Sequence, residues 1–149
     1  MLICDKIDYN VYKDALEANS PLVRANCWEW YTSVVRTRMH NASRELIVFT
    51  RWHEEDLIGT LTAREPVAEL KEWAQLDGLP ADTWLHLNFE ALKSSPPTGI
   101  DPRMPGEALW ERQHGAALLE AKRRLDPLQF EAMYQLSLIH ISEPTRPEP

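Results

Sequence analysis

Apolar and polar positions along this chain recur with two different periods, and the changes of period mark out its elements. Ser20 followed by Pro21 predicts a helix start, with serine as the capping residue and proline in the first helical position. Val23, Cys27, Trp30, Tyr31 and Val34 then recur at helical spacing and make one apolar face. Asn41-Ala42-Ser43 reads as a turn. Leu46-Ile47-Val48-Phe49, entered from Arg44 and Glu45, is an unbroken apolar run of the kind that suits a central parallel strand covered on both faces. A buried helical turn shares that pattern at this length.

From His53 the pattern changes. Glu54, Glu55 and Asp56 fall where a helix begins, and carboxylates there complement the positive end of the helix dipole. Leu57, Ile58 and Leu61 supply its buried side, while Gly59 leaves room for a neighbouring backbone. A second helical stretch is predicted from Pro66 to about Leu76, ending before Gly78. Trp84-Leu85-His86-Leu87-Asn88-Phe89 alternates in part and reads as a further strand. Residues 94–105 hold four prolines and a glycine, so they are loop. Two helices follow, one over His114 to Arg124 and one opening at Asp126-Pro127, where Asp126 and Gln129 form a capping box. Phe130, Met133 and Tyr134 make the apolar face of the second.

Helix, buried strand, helix and a further strand together favour an α/β fold with a parallel sheet. Ligands of such sheets gather at the carboxyl ends of the strands. Thr50, directly after the Leu46–Phe49 run, occupies that kind of place.

Composition narrows the picture. The 149 residues are 44% hydrophobic and 26% charged, which suits an ordinary globular chain with one core. The formal charge of -7 carries more weight. A surface that grips DNA carries a basic stripe to neutralise phosphates, and none is evident here. If the protein works on DNA, the groups that hold the duplex lie elsewhere in a larger parent. Cys4 and Cys27 form neither a disulfide framework nor zinc spacing, which fits a reduced cytosolic setting. No apolar run approaches the length of a membrane span.

Several sharper readings yield to plainer ones. His53 and Asp56 are too few ligands for zinc and fit a helix start better. Trp28, Trp30 and Tyr31 have the spacing of core packing rather than of a base-stacking surface. Lys122-Arg123-Arg124 suits the end of a helix dipole better than a DNA clamp.

One string is specific. Thr50-Arg51-Trp52-His53-Glu54-Glu55-Asp56-Leu57-Ile58-Gly59 closely resembles the signature that closes the ATPase domain of tailed-bacteriophage terminase large subunits, the ATP-driven motors that package DNA into capsids. Trp28-Glu29-Trp30-Tyr31 and Arg36-Thr37-Arg38 upstream resemble the same family. So do Asp101-Pro102-Arg103, Pro105-Gly106-Glu107-Ala108-Leu109-Trp110, Phe130 and Tyr134-Gln135 downstream. The likeness runs from about Ala18 to Gln135.

The resemblance implies a partial RecA-like P-loop NTPase domain, a parallel sheet with flanking helices that lacks the P-loop strand, followed by a helical connector. Residues 1–93 correspond to the end of the ATPase domain and 94–135 to the connector toward an RNase H-like, two-metal nuclease. It makes the segment from Leu46 to Thr50 the strand that couples phosphate state to movement. Thr50 is then the candidate that donates to a γ-phosphate or positions a water, and Arg51 and Arg38 are further candidates for charge-assisted phosphate contact. The cofactors implied for the parent are ATP and Mg2+. The implied partners are double-stranded DNA, the portal protein and the terminase small subunit, with a homo-oligomeric ring on the portal and no membrane. The implied setting is the cytoplasm of an infected or lysogenic bacterial host.

The departures from the family pattern are as informative. No Gly-x-x-x-x-Gly-Lys-Ser/Thr string is present to cradle phosphates. The acidic pair that holds magnesium belongs near Tyr9-Asn10, where no acid stands; Asp8 or Asp5 is its candidate displaced remnant. The stretch from Leu136 to Arg146 resembles a translated transposase sequencing adapter. Residues 136–149 are therefore set aside as an artefact tail, His140 with them, and the natural protein is expected to continue beyond about Gln135. Met1 is open to reading as an internal methionine. Such a fragment is expected to be inactive alone. The competing readings are a non-catalytic interaction module or prophage relic, and a helicase-type remodelling ATPase, which leaves the Gly106–Trp110 string unexplained.

Overall fold

In the computed structural model, residues 4–7 and 15–137 are described. The chain divides into two compact units, Met1–Ala63 and Arg64–Pro149, so the 93/94 boundary implied by the resemblance falls within the second.

The first unit opens with strand β1 (Cys4–Ile7), which pairs in parallel with β2 (Arg44–Ile47), Cys4 opposite Arg44 and Ile7 opposite Ile47. Parallel strands need a long crossover. Helices α1 (Ala15–Asn19) and α2 (Pro21–Trp30) supply it, running on into a π-helical turn at Tyr31–Val35 and a 3-10 turn at Arg36–Arg38. Helix α2 starts as expected: Ser20 is extended and its Oγ accepts from the Val23 N–H at 3.4 Å, with Pro21 first in the helix. The predicted apolar face buries Cys27 and Tyr31 and half-buries Val23, Trp30 and Val34. Trp28 packs on Tyr31, ring centroids 5.6 Å apart. The widening to a π turn coincides with hydroxyls that bond back to the preceding turn, Thr32 to the Trp28 carbonyl at 3.1 Å and Ser33 to that of Glu29 at 2.6 Å. Such back-bonds compete with the helical ladder.

Strand β2 is parallel, as expected, but it lies two residues earlier than the Leu46–Phe49 run, so that Val48 and Phe49 fall outside it. Nor is it covered on both faces. Leu46 and Val48 are about half exposed (49% and 51%), whereas Ile47 and Phe49 turn inward. An unbroken apolar run implies two covering layers only in a sheet wide enough to be sandwiched. The described residues here form a two-stranded sheet. Helix α3 (Leu57–Arg64) follows, burying Leu57 and Leu61.

The second unit begins with a correction. The segment from Pro66 to Leu76 is not a helix: Val67–Glu69 forms strand β3, parallel to β4 (Trp84–His86), and Trp73–Gly78 is a 3-10 helix. Sheet hydrogen bonds claim the backbone, Trp84 N–H to the Pro66 carbonyl at 2.9 Å and Leu70 N–H to that of His86 at 3.0 Å. Trp73 and Leu76, whose spacing mimics a buried helical face, are exposed. Glu72 and Gln75 form a reciprocal capping box that starts the 3-10 turn instead.

The core of this unit is Leu92, Ala108, Leu119 and Phe130, with Ala91, Ala116 and Tyr134 packed against it. Helix α4 (Ala116–Leu125) contributes Leu119. Helix α5 (Pro127–Phe130), which continues as a π turn over Glu131–Gln135, contributes Phe130. Asp126 caps α5, its Oδ1 accepting from the Gln129 N–H at 3.0 Å. The return half of the expected capping box is not made, because the Asp126 N–H donates to the Lys122 carbonyl at 3.2 Å instead. Lys122 and Arg123, from the basic run at the end of α4, lie over the Tyr134 and Phe130 rings. The buried Gln135 amide closes the unit: its Oε1 accepts from the Leu92 N–H at 3.0 Å and its Nε2 donates to the Leu92 carbonyl at 2.8 Å. Both units mix helix with parallel strand pairs, an α/β arrangement in general terms. Among the described residues no helix is long and apolar enough to cross a membrane.

Candidate functional site at the carboxyl end of the second strand

The ten residues from Thr50 to Gly59 carry the chain from the carboxyl end of β2 into α3. Asp56 organises them. Its carboxylate is fully buried, and both oxygens are occupied. Oδ1 accepts from the Gly59 N–H at 2.9 Å, which makes Asp56 the cap of α3, and the Asp56 carbonyl accepts the first helical bond from the Thr60 N–H at 2.8 Å. Oδ2 accepts from Arg51 Nε at 2.9 Å and from the Trp52 N–H at 3.3 Å. Arg51 also reaches the His53 carbonyl at 3.5 Å. One carboxylate therefore holds the start of the turn against the start of the helix.

The turn is also tied to the crossover. Arg24, on α2, donates to the Ala18 carbonyl at 2.8 Å and to Glu55 Oε2 at 3.2 Å. Gly59 is required by close approach, because a Cβ there would lie 1.7 Å from the Glu54 carbonyl oxygen. Of the three acids expected at the helix start, Asp56 is thus the cap, while Glu54 and Glu55 precede the helix in the turn. His53 Nδ1 accepts from the Glu55 N–H at 3.0 Å, so neither His53 nor Asp56 presents a free ligand atom on that side. Among the described residues no group of three or more His, Cys, Asp or Glu side chains converges as a metal site.

The candidate residues separate. Thr50 is half-buried three residues past the end of β2 at Ile47, and its hydroxyl makes no hydrogen bond to a described residue. Arg51, next to it, spends its Nε on Asp56. Arg38 lies at the other end of the strand. Arg36, two residues earlier, donates from Nε to the Tyr31 hydroxyl at 2.7 Å and pairs with Glu45 at 3.4 Å, which pins the end of the crossover to the amino end of β2. A four-residue strand spans about 13 Å, so Thr50 and Arg38 stand at opposite ends of it. Arg38 is exposed and makes no ion pair with a described residue. Asp8 lies outside the described residues. Asp5 is on β1, opposite Glu45 in the register.

Near Arg36, burial pushes the Tyr31 hydroxyl well above its ordinary range, and hydrogen bonding to the Glu45 carboxylate adds to the effect. Tyr31 is a neutral packing and hydrogen-bonding group at any physiological pH. The role of Asp56 had a signal in the sequence: an Asp immediately before Leu57-Ile58-x-x-Leu61 is a cap pattern. Its grip on Arg51 had none.

Comparisons with protein-family models, with curated proteins and with solved structures find no match to this chain.

Proposed function

We propose that the chain is a piece of a tailed-phage terminase large subunit, contributing the coupling strand of a RecA-like ATPase domain, the helix that follows and the connector toward a metal-dependent nuclease. The parent motor hydrolyses ATP with Mg2+, moves double-stranded DNA through a portal and cleaves it. Its partners are the portal protein, the small subunit and further copies of itself in a ring, in the cytoplasm of a bacterial host. The observation that carries the reading is the Thr50–Gly59 string, which begins three residues past the carboxyl end of a parallel strand. Ligands of parallel sheets bind at such ends. Further support comes from the bracket at Asp56, which joins the residue after Thr50 to helix α3 and so offers a stiff path from a phosphate sensor to a moving element. In this reading Thr50 meets the nucleotide, Arg51 positions Thr50 through Asp56, and Arg38 serves some other surface of the motor.

The role of Thr50 is tested in the full-length motor recovered from the same source. Thr50→Ala is expected to lower kcat for DNA-stimulated ATP hydrolysis by at least about tenfold, roughly 1.4 kcal/mol, with KM for ATP little changed. Unchanged turnover would remove Thr50 from the coupling step.

A further inference from the structure

In the second unit a cleft of about 370 Å3 opens beside a buried ion cluster. Leu70, Leu87, Phe89 and Ile100 give it apolar walls, and Lys93 and Asp101 line it with charge. The Lys93 side chain is only 5% exposed, and among the described residues its ammonium has one ion-pair partner, Asp101 Oδ2 at 3.2 Å. That carboxylate is already gripped by Arg103, with Nε to Oδ1 and Nη2 to Oδ2 both at 2.8 Å. A two-pronged guanidinium takes the larger share of a carboxylate's accepting capacity. Lys93, with three N–H donors, is left with one shared acceptor in a site where unmet donors are costly.

The other carboxylates on the cleft do not relieve it. Glu90 accepts from the Ser94 N–H and the Ser95 hydroxyl, and Glu69 pairs with Lys71 at 3.5 Å. Leu87 and Phe89 remain partly exposed, so the walls still have apolar surface to cover.

We infer that this cleft binds a single carboxylate carried on a short apolar body, the carboxylate accepting from Lys93 Nζ and the body lying against Leu87, Phe89 and Ile100. The charged residues that line the cleft sum to -1, Lys71 and Lys93 against Glu69, Glu90 and Asp101, Arg103 not being among the lining residues. Attraction therefore comes from the donor shortage at Lys93 and from apolar burial, not from a net field, and the affinity is weak. The volume lies near the lower end of small-ligand sites, which span roughly 300–1,000 Å3. A free carboxylic acid and the carboxyl terminus of a polypeptide supply the same chemistry. This inference stands apart from the motor reading.

The test titrates the full chain with hexanoate, with hexanamide, and with a short peptide ending in leucine in its free-acid and amidated forms, followed by ligand-observed NMR. Saturable binding of at least one acid is expected, about tenfold or more tighter than its amide. Hexanoate binding identifies a small-molecule ligand; binding of the peptide acid alone identifies a chain terminus. Lys93→Met is expected to abolish saturation and Lys93→Arg to retain part of it. Lys93→Met leaves Asp101 paired to Arg103, and a thermal melt checks that the variant folds. Should it not fold, Phe89→Asp sets a negative charge on the wall without touching the cluster and is expected to weaken acid binding about tenfold. Acids that bind no better than their amides, or binding that survives both Lys93→Met and Phe89→Asp, would overturn the inference.

Discussion

Arg51 donates from Nε to Asp56 Oδ2 at 2.9 Å across a turn whose carboxylate is fully buried, so the residue next to Thr50 is bolted to the cap of the following helix. Removing one partner of a buried pair leaves the other charge uncompensated and costs about 3–5 kcal/mol. Asp56→Ala is therefore expected to unfold the first unit or bring it close to unfolding. Asp56→Asn keeps a good capping group and loses only the charge, so it is expected to fall between. Chemical denaturation followed by hydrogen exchange at the Leu57–Leu61 amides reads the order. Equal stability of Asp56→Ala and the parent chain would mean that the bolt carries no load.

Gly59→Ala sets two effects against each other. Alanine favours a helix over glycine by about 1 kcal/mol, but its Cβ would collide with the Glu54 carbonyl oxygen, which is backbone and has little room to yield. Overpacking of this kind costs about 1–3 kcal/mol. Net destabilisation is expected in urea melts, and a stabilised variant would show that the Glu54 carbonyl is not held where the turn places it.

The second unit should weaken in acid. Hydrogen bonding from Arg103 holds the Asp101 carboxyl down to about 2 from its ordinary 3.8, with Lys93 adding to the effect against the opposing influence of burial. A depressed folded-state value stabilises the fold above the unfolded pKa, and that stability is lost as pH falls through about 4 toward about 2. The contribution near neutrality is about 2 kcal/mol. Asp101→Asn is expected to be less stable than the parent chain at neutral pH, with the difference vanishing near pH 2. A difference that stays constant across that range would contradict the ion-pair account.

Gln135→Leu tests the closure of the same unit. It retains bulk but leaves the buried Leu92 N–H and carbonyl without their partners. Each group left unpaired costs about 1–3 kcal/mol, and a thermal melt should show a corresponding loss. An unchanged melting temperature would mean that Leu92 finds its hydrogen bonds elsewhere.

The elements that could be read in advance are those whose causes lie close together in the chain. Ser20-Pro21 and Asp126-Pro127 each carry a cap and its helix within a few residues, and both helices start there. The stretch from Pro66 to Leu76 was open to misreading because Val67, Leu70, Trp73 and Leu76 have helical spacing, while the ladder that makes Val67–Glu69 a strand is supplied by Trp84–His86. The same limit hid the site's framework. Thr50 is marked by the string around it, but the hold of Asp56 on Arg51 and of Arg24 on Glu55 depends on how the turn folds back. Lys93, Asp101 and Arg103 meet only because a proline-rich loop returns on itself, and Gln135 reaches a partner 43 residues away.

The central claim is that the chain is a piece of a DNA-packaging motor, and it is tested most directly by long-read sequencing of the source DNA through both ends of this reading frame. The account predicts a Gly-x-x-x-x-Gly-Lys-Ser/Thr string upstream in the same frame. Downstream it predicts an acid-bearing nuclease domain in place of the adapter-like codons after Gln135. A frame that opens at Met1 and closes at Pro149, with neither feature beside it, would contradict the motor reading.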